Sequence, residues 1–98
     1  MLLLSRFKIQ GHSMEPTIKN GASVLVSGIP YLFPKPKISD IVAFRGKETG
    51  KVFIKRIVKV DRDKYFVSGD NKNDSIDSRK LGWITKREIV GKVIWNIK

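Results

Sequence analysis

The ten residues KVFIKRIVKV, 51–60, decide how the rest of the chain is read. They contain no glycine or proline and are rich in β-branched and aromatic side chains, which suits a strand. On an extended backbone successive side chains point to opposite faces. Phe53, Lys55 and Ile57 therefore share one face, and Ile54, Arg56 and Val58 the other, so within 53–58 each face carries a single cation among apolar groups. Five more stretches have the same character: FKIQ (7–10), SVLVS (23–27), DIVAFRG (40–46), KYFVSG (64–69) and GKVIWNIK (91–98). The expected fold is mainly β, a coiled antiparallel sheet or partly open barrel. One or two short helical turns are expected, one after Ser13 at MEPT (14–17) and one at TKREIV (85–90), where Thr85 and Glu88 fit a capping box. Segment 28–37, GIPYLFPKPK, reads as a loop or edge strand that displays bulky apolar groups. Trp95, within an apolar strand, is expected in the core.

At 98 residues the chain suits one compact domain, 1–98, with a single modest core. It has no cysteine and one histidine, which excludes disulfides, thiol chemistry, thiolate metal sites and chelation by several histidines. No metal or other cofactor is implied. The net charge of +11 favours polyanionic partners, anionic lipid or nucleic acid, beside the plainer reading of a lysine-rich solvated surface. No apolar run reaches the ~18 residues a membrane-crossing helix needs, and MLLL is followed at once by Arg6 and Lys8.

The chemistry gathers around GHSMEPT, 11–17. Ser13 needs a base to become a nucleophile, and the one histidine, His12, is its direct neighbour, whose side chain points the other way on an extended backbone. A lysine serves if burial holds its amine neutral. Of the two cations in FIKRIV, 53–58, arginine stays protonated and cannot accept a proton, which favours Lys55; the plainer alternative is that both extend their tips into water. The polar stretch SGDNKNDSIDSRKLG, 68–82, has the composition of a surface loop. Within it Ser75, Asp77 and Arg79 alternate, so an extended backbone sets a hydroxyl, a carboxylate and a guanidinium on one side.

Taken in order, GHSMEPT, SDIVAF (39–44), FIKRIV (53–58) and SGDNKNDSIDSRKLG resemble the successive motifs of the type I signal peptidases, the Ser/Lys serine proteases. The resemblance spans roughly residues 7–95. It implies that Ser13 is the nucleophile and Lys55 the general base, with Ser75 orienting the lysine amine. Asp77 and Arg79 would be the ion pair that braces the site, and Met14 and Pro16 would shape the turn behind the nucleophile. The oxyanion hole would use the Ser13 N–H; some members place a serine hydroxyl two residues earlier, where this chain has Gly11, so any donor there is backbone or water. The substrate implied is an extended peptide or precursor protein with small residues near the scissile bond.

Family members of the common bacterial type begin with membrane-spanning helices and often carry a β-rich insertion, and this chain looks like the catalytic core alone. Leu2, Leu3, Leu4 and Phe7, together with Tyr31, Leu32 and Phe33 and a rim of Arg6, Lys8, Lys35 and Lys37, form a candidate patch for peripheral docking on anionic lipid; a cytoplasmic maturation protease is the alternative location. Two other classes compete. One is a basic β-barrel binding single-stranded nucleic acid through Tyr65, Phe66, Trp83 and Trp95, which leaves SMEPT and SIDSR unexplained, so no nucleic acid is expected. The other is an inactive adaptor of the same fold, against which intact Ser13 and Lys55 speak.

Overall fold

The structure, a computed structural model, describes residues 4–31, 35–46, 50–72 and 82–97. Seven strands run in chain order: β1 (Ser5–Lys8), β2 (Ser23–Ser27), β3 (Ile41–Arg45), β4 (Val52–Asp61), β5 (Lys64–Ser68), β6 (Ile84–Thr85) and β7 (Ile89–Ile97). They form one open antiparallel sheet in the order β1-β2-β7-β3-β4-β5-β6. Each of the six predicted stretches overlaps a strand, FKIQ only at Phe7 and Lys8 because β1 starts earlier, at Ser5, and the longest is the one around KVFIKRIVKV. β6, two residues long, is too short to leave a periodic pattern in sequence.

Single 3-10 turns occupy Ile29–Tyr31 and Lys86–Glu88. The second is shorter than TKREIV allows, because Ile89 already belongs to β7. Its start is held as expected: the Glu88 carboxylate accepts from the Thr85 N–H at 3.0 Å and from the Thr85 hydroxyl at 3.1 Å. Segment 11–18 is a succession of turns rather than a helix, with a cis bond between Glu15 and Pro16.

Apolar side chains gather on both faces of the sheet. Val42, Phe44, Ile57, Tyr65, Val67, Ile84 and Ile89 pack together with Phe53 on one side. Met14, Ile18, Val24, Val26 and Ala43 pack on the other, with Ile54 and Phe7 against them. β3 and β4 supply both clusters through strict alternation, as central strands covered on two sides do. Lys55 lies on the Phe53 and Ile57 face and Arg56 on the Ile54 face, as the alternation requires.

Trp95 is not in the core; it is 65% exposed. The cause is the unequal length of neighbouring strands. β3 pairs with β7 only as far as Val42 opposite Lys92, so beyond that point β7 has β2 alone beside it. A bulge inserts Ile94, and Trp95 then faces outward opposite Leu25. An apolar strand end continued past its partner has nothing to cover it.

Where β2, β7 and β3 meet, Gly91 lets the chains close. A Cβ built there would lie 2.8 Å from the carbonyl carbon and oxygen of Ser27 and 2.8 Å from Val26 Cγ1. Two of these atoms are backbone and cannot swing aside. Gly91→Ala is therefore expected to destabilise the domain by about 1–3 kcal/mol and to lower Tm by roughly 5–15 °C. An unchanged melting curve would show that β2 and β7 have room to separate.

Candidate active site

Ser13 sits in a turn anchored from below. Met14 is 1% exposed and Ile18 equally buried, both in the second core cluster, so the apolar residues of the turn fasten it to the sheet while Ser13 stays half-exposed. Inside the turn, Glu15 N–H donates to His12 O at 3.1 Å and Ile18 N–H to Met14 O at 2.9 Å. Pro16, after the cis bond, is exposed.

Polar side chains bind the two legs of this turn to each other. His12 Nδ1 and Glu15 Oε1 share a hydrogen bond of 2.9 Å, Asn20 N–H donates to Glu15 Oε2 at 3.3 Å, and Gly11 N–H donates to Asn20 Oδ1 at 2.9 Å. The His12 hydrogen bond, with help from Asn20, holds the Glu15 carboxyl below its usual pKa. His12 is thus engaged away from Ser13, in keeping with the opposed directions of adjacent side chains. Gly11, a candidate backbone donor to an oxyanion, has its N–H directed to Asn20, and its φ of +100° shows why glycine stands there.

Lys55, in the middle of β4, is only 4% exposed, unusual for a lysine and at odds with a tip extended into water. Its neighbour Arg56 performs a task that sequence reasoning did not find. The guanidinium grips Asp70 with two bonds, Nε to Oδ1 and Nη2 to Oδ2, both 2.8 Å, while Nη1 donates to Ser39 O at 2.8 Å. Asp70 Oδ2 also accepts from the Thr17 hydroxyl at 2.5 Å. The next residue, Asn71, donates its backbone N–H to Ser13 O at 2.8 Å and its Nδ2 to His12 O at 3.0 Å. The strand bearing Lys55 and the turn bearing Ser13 are therefore tied to one short segment, 69–71.

The signals were present in outline: Arg56 stands beside Lys55 in FIKRIV, and Asp70 and Asn71 open the polar stretch. What sequence lacks is the pairing across the fold. The expected brace, Asp77 with Arg79, and the expected orienting residue, Ser75, lie outside the described residues. A cleft of about 570 Å³ opens between residues 16–22 and Asn96, but its side chains Thr17, Asn20 and Asn96 already bond within the protein. Among the described residues no group of three or more His, Asp or Glu offers a metal site.

Comparison with known proteins decides the family. A family model described as "Signal peptidase, peptidase S26" matches residues 1–60 and 58–97, nearly the whole chain. The chain belongs to the peptidase S26 family. Signal peptidase I P of Bacillus subtilis subsp. natto is 27% identical to this S26 member over 137 residues, covering 91% of the chain and 74% of the relative. Signal peptidase I V of Bacillus subtilis (strain 168) is 28% identical, with 89% and 82% covered. The chloroplastic thylakoidal processing peptidase 1 of Arabidopsis thaliana is 28% identical over 89% of this chain and 40% of its own. These alignments are longer than the 98 residues of this S26 member, so the relatives hold residues that it lacks. The two matched segments meet at residues 58–60, near the end of β4, where this chain turns directly into β5 through Arg62 and Asp63.

The Arg56 fork, then the Thr17 hydroxyl, lowers the Asp70 pKa against the opposing effect of burial. A depressed carboxylate contributes stability that is present above the ordinary aspartate range and lost as pH falls through the folded value. Asp70→Asn should therefore melt below the wild type at neutral pH, and the gap should close on acidification. A gap that stays constant into acid would remove the ionised pair as its cause.

Proposed function

We propose that this protein is a serine endopeptidase that cleaves signal peptides or the N-terminal extension of a precursor, with Ser13 as nucleophile and Lys55 as general base. The observation that carries the reading is a lysine 4% exposed on β4, one residue from an arginine that fastens the Ser13 turn through Asp70 and Thr17, in a chain of the S26 family. Burial disfavours an ammonium and favours the neutral amine a base requires. Neutral Lys55 takes the proton of Ser13 Oγ, the oxygen attacks the substrate carbonyl, and the lysine returns the proton to the leaving amine. Water then hydrolyses the acyl-enzyme, with Lys55 again accepting a proton.

Ser13 N–H is the oxyanion donor in this mechanism. Gly11 joins it only if its N–H exchanges Asn20 for the oxyanion. In this proposal Ser75 is assigned to orienting the lysine amine, the Asp77 and Arg79 pair to bracing the site, and Met14 and Pro16 to shaping the turn behind the nucleophile. An extended peptide is the substrate. The nucleic-acid alternative has lost ground, since Tyr65 is 1% exposed and cannot stack on a base.

We further propose that the enzyme works at an anionic membrane surface, docked by the outer face of β1, β2 and β7. Part of the patch expected from sequence does not serve: Phe7 packs against the core and Lys35 pairs with Asp63, while Leu2, Leu3, Leu32 and Phe33 lie outside the described residues. The sheet register supplies another set. Arg6, Leu25 and Trp95 stand in one row, and Leu4 and Lys8 flank Arg6 on the same face. Leu4 is 62% exposed and Ile94 is exposed beside Trp95. None of the three strands contains Asp or Glu, so the face joins an interfacial tryptophan to cations with no acid among them. Asn96, next to Trp95 but on the opposite face of β7 with Val24, donates to Thr17 O at 3.3 Å, so the Ser13 turn packs on the reverse side of these strands. Among the described residues no helix is long and apolar enough to cross a membrane.

Ser13→Ala, Lys55→Ala and Lys55→Arg should each abolish cleavage of a precursor peptide without changing the fold, and Ser75→Ala should slow turnover roughly ten- to a thousandfold. Full activity in Lys55→Arg excludes a lysine base. Wild-type activity should rise with pH and hold toward alkaline conditions; a rate already at plateau by about pH 6 and lost by about pH 8 contradicts the mechanism. His12→Ala should keep most of its activity.

For docking, a Trp83→Phe variant leaves Trp95 as sole reporter. Its fluorescence should shift to the blue with anionic vesicles at low salt, and co-sedimentation with the same vesicles should fall when Arg6 and Lys8 become glutamate or Trp95 becomes serine. A protein that stays unbound under those conditions refutes this surface while leaving the protease reading intact.

A further inference from the structure

The peptide group between His12 and Ser13 contains two functional atoms on one rigid plane, His12 O and the Ser13 N–H, which point in opposite directions across a trans bond. Whatever holds His12 O therefore sets the direction of the Ser13 N–H. Two donors converge on His12 O: the Glu15 backbone N–H at 3.1 Å, from within the turn, and Asn71 Nδ2 at 3.0 Å, from outside it. Among the described residues no acceptor is bonded to the Ser13 N–H itself. The plane is thus clamped at its carbonyl end and open at its amide end.

The plane that comes after Ser13 is held by the same residue, because Asn71 N–H donates to Ser13 O at 2.8 Å. Asn71 straddles Ser13, one donor to the carbonyl before it and one to the carbonyl after. Its own position comes from Asp70, which the Arg56 fork fixes to β4. The strand that carries Lys55 therefore also sets, through three consecutive bonded residues, the direction of an amide on Ser13.

We infer that Asn71 is a positioning residue that aims the Ser13 N–H at the oxyanion of the tetrahedral intermediate. The inference rests on the protease reading. It separates the tasks of the segment: Asp70 holds the turn in place, and Asn71 rotates one peptide plane within it. An oxyanion donor works by being oriented before the charge appears, so a plane free to rock loses transition-state stabilisation while leaving ground-state binding of the peptide untouched.

The test uses Asn71→Asp, which keeps the shape but replaces the donating amide nitrogen with an acceptor, and Asn71→Ala. Both retain the backbone bond to Ser13 O. On a soluble precursor peptide, kcat should fall about ten- to a hundredfold with KM changed less than about twofold, since part of one oxyanion donor is lost. Affinity for a peptide boronate, whose boron accepts Ser13 Oγ and becomes a tetrahedral anion, should fall by the same factor. Affinity for the uncleaved peptide, measured with Ser13→Ala added to each variant, should not change. Equal losses of boronate and ground-state affinity would overturn the inference, as would wild-type kcat in Asn71→Asp. If Asn71→Ala melts early, the isosteric aspartate variant still decides the matter. A wild-type protein that neither cleaves nor captures the boronate overturns the protease reading and this inference together, whereas a competent wild type with indifferent Asn71 variants overturns the inference alone.

Discussion

The fork between Arg56 and Asp70 is the constraint on which the site depends. Its two bonds of 2.8 Å are the bidentate geometry that guanidinium and carboxylate share, and a third bond from the same guanidinium reaches Ser39 O. The pair is partly buried, so breaking it leaves a half-desolvated charge behind. Around it converge the entry to β3 at Ser39, the middle of β4, the segment after β5 and, through Thr17, the turn of Ser13. Four segments far apart in sequence thus take their relative positions from one ion pair. Ser39 adopts a φ of 80°, uncommon for a residue with a side chain, at the point where its carbonyl meets Arg56.

β4 divides its labour by alternation. One face presents Phe53, Lys55 and Ile57 to the first core cluster, and the other presents Ile54 and Arg56 to the second. Adjacent residues of like charge therefore reach opposite sides of the sheet and different environments. Lys55 is enclosed, where an amine is most easily held neutral; Arg56, which stays charged, receives a carboxylate. Exchanging the two would bury a permanent charge on one side and leave Asp70 without its two-pronged partner on the other.

The basic composition is distributed unevenly over this framework. Asp40, Asp63 and Asp70 each accept a cation, at Lys92, Lys35 and Arg56. β1, β2 and β7 have no acid at all, and the exposed end of β7 lies there with Trp95. Net charge alone allowed lipid and nucleic acid equally. Lipid is the partner proposed for docking, because the sheet register sets cations beside aliphatic groups and one tryptophan on this face and buries Tyr65 on the far side of the sheet order.

Alternation and turn chemistry are local properties, and the sequence by itself determined the features that depend on them: the strands of β1 to β5 and β7, the face assignment of Lys55, the cap at Thr85 and Glu88, and, through four motifs in order, the family. Tertiary structure alone decided the rest. Trp95 reads as core from its neighbours, yet it is exposed because β3 stops short of it, a fact about a strand some fifty residues away. Arg56 reads as the residue unfit to be a base, and its partner Asp70 as one more polar residue of a loop; their pairing needs the β4 and β5 register to bring them together. The task of Asn71 is more remote still, since it depends on a bond to a carbonyl 59 residues earlier in the chain. Periodicity reports which way a side chain points, but not what the fold sets in front of it.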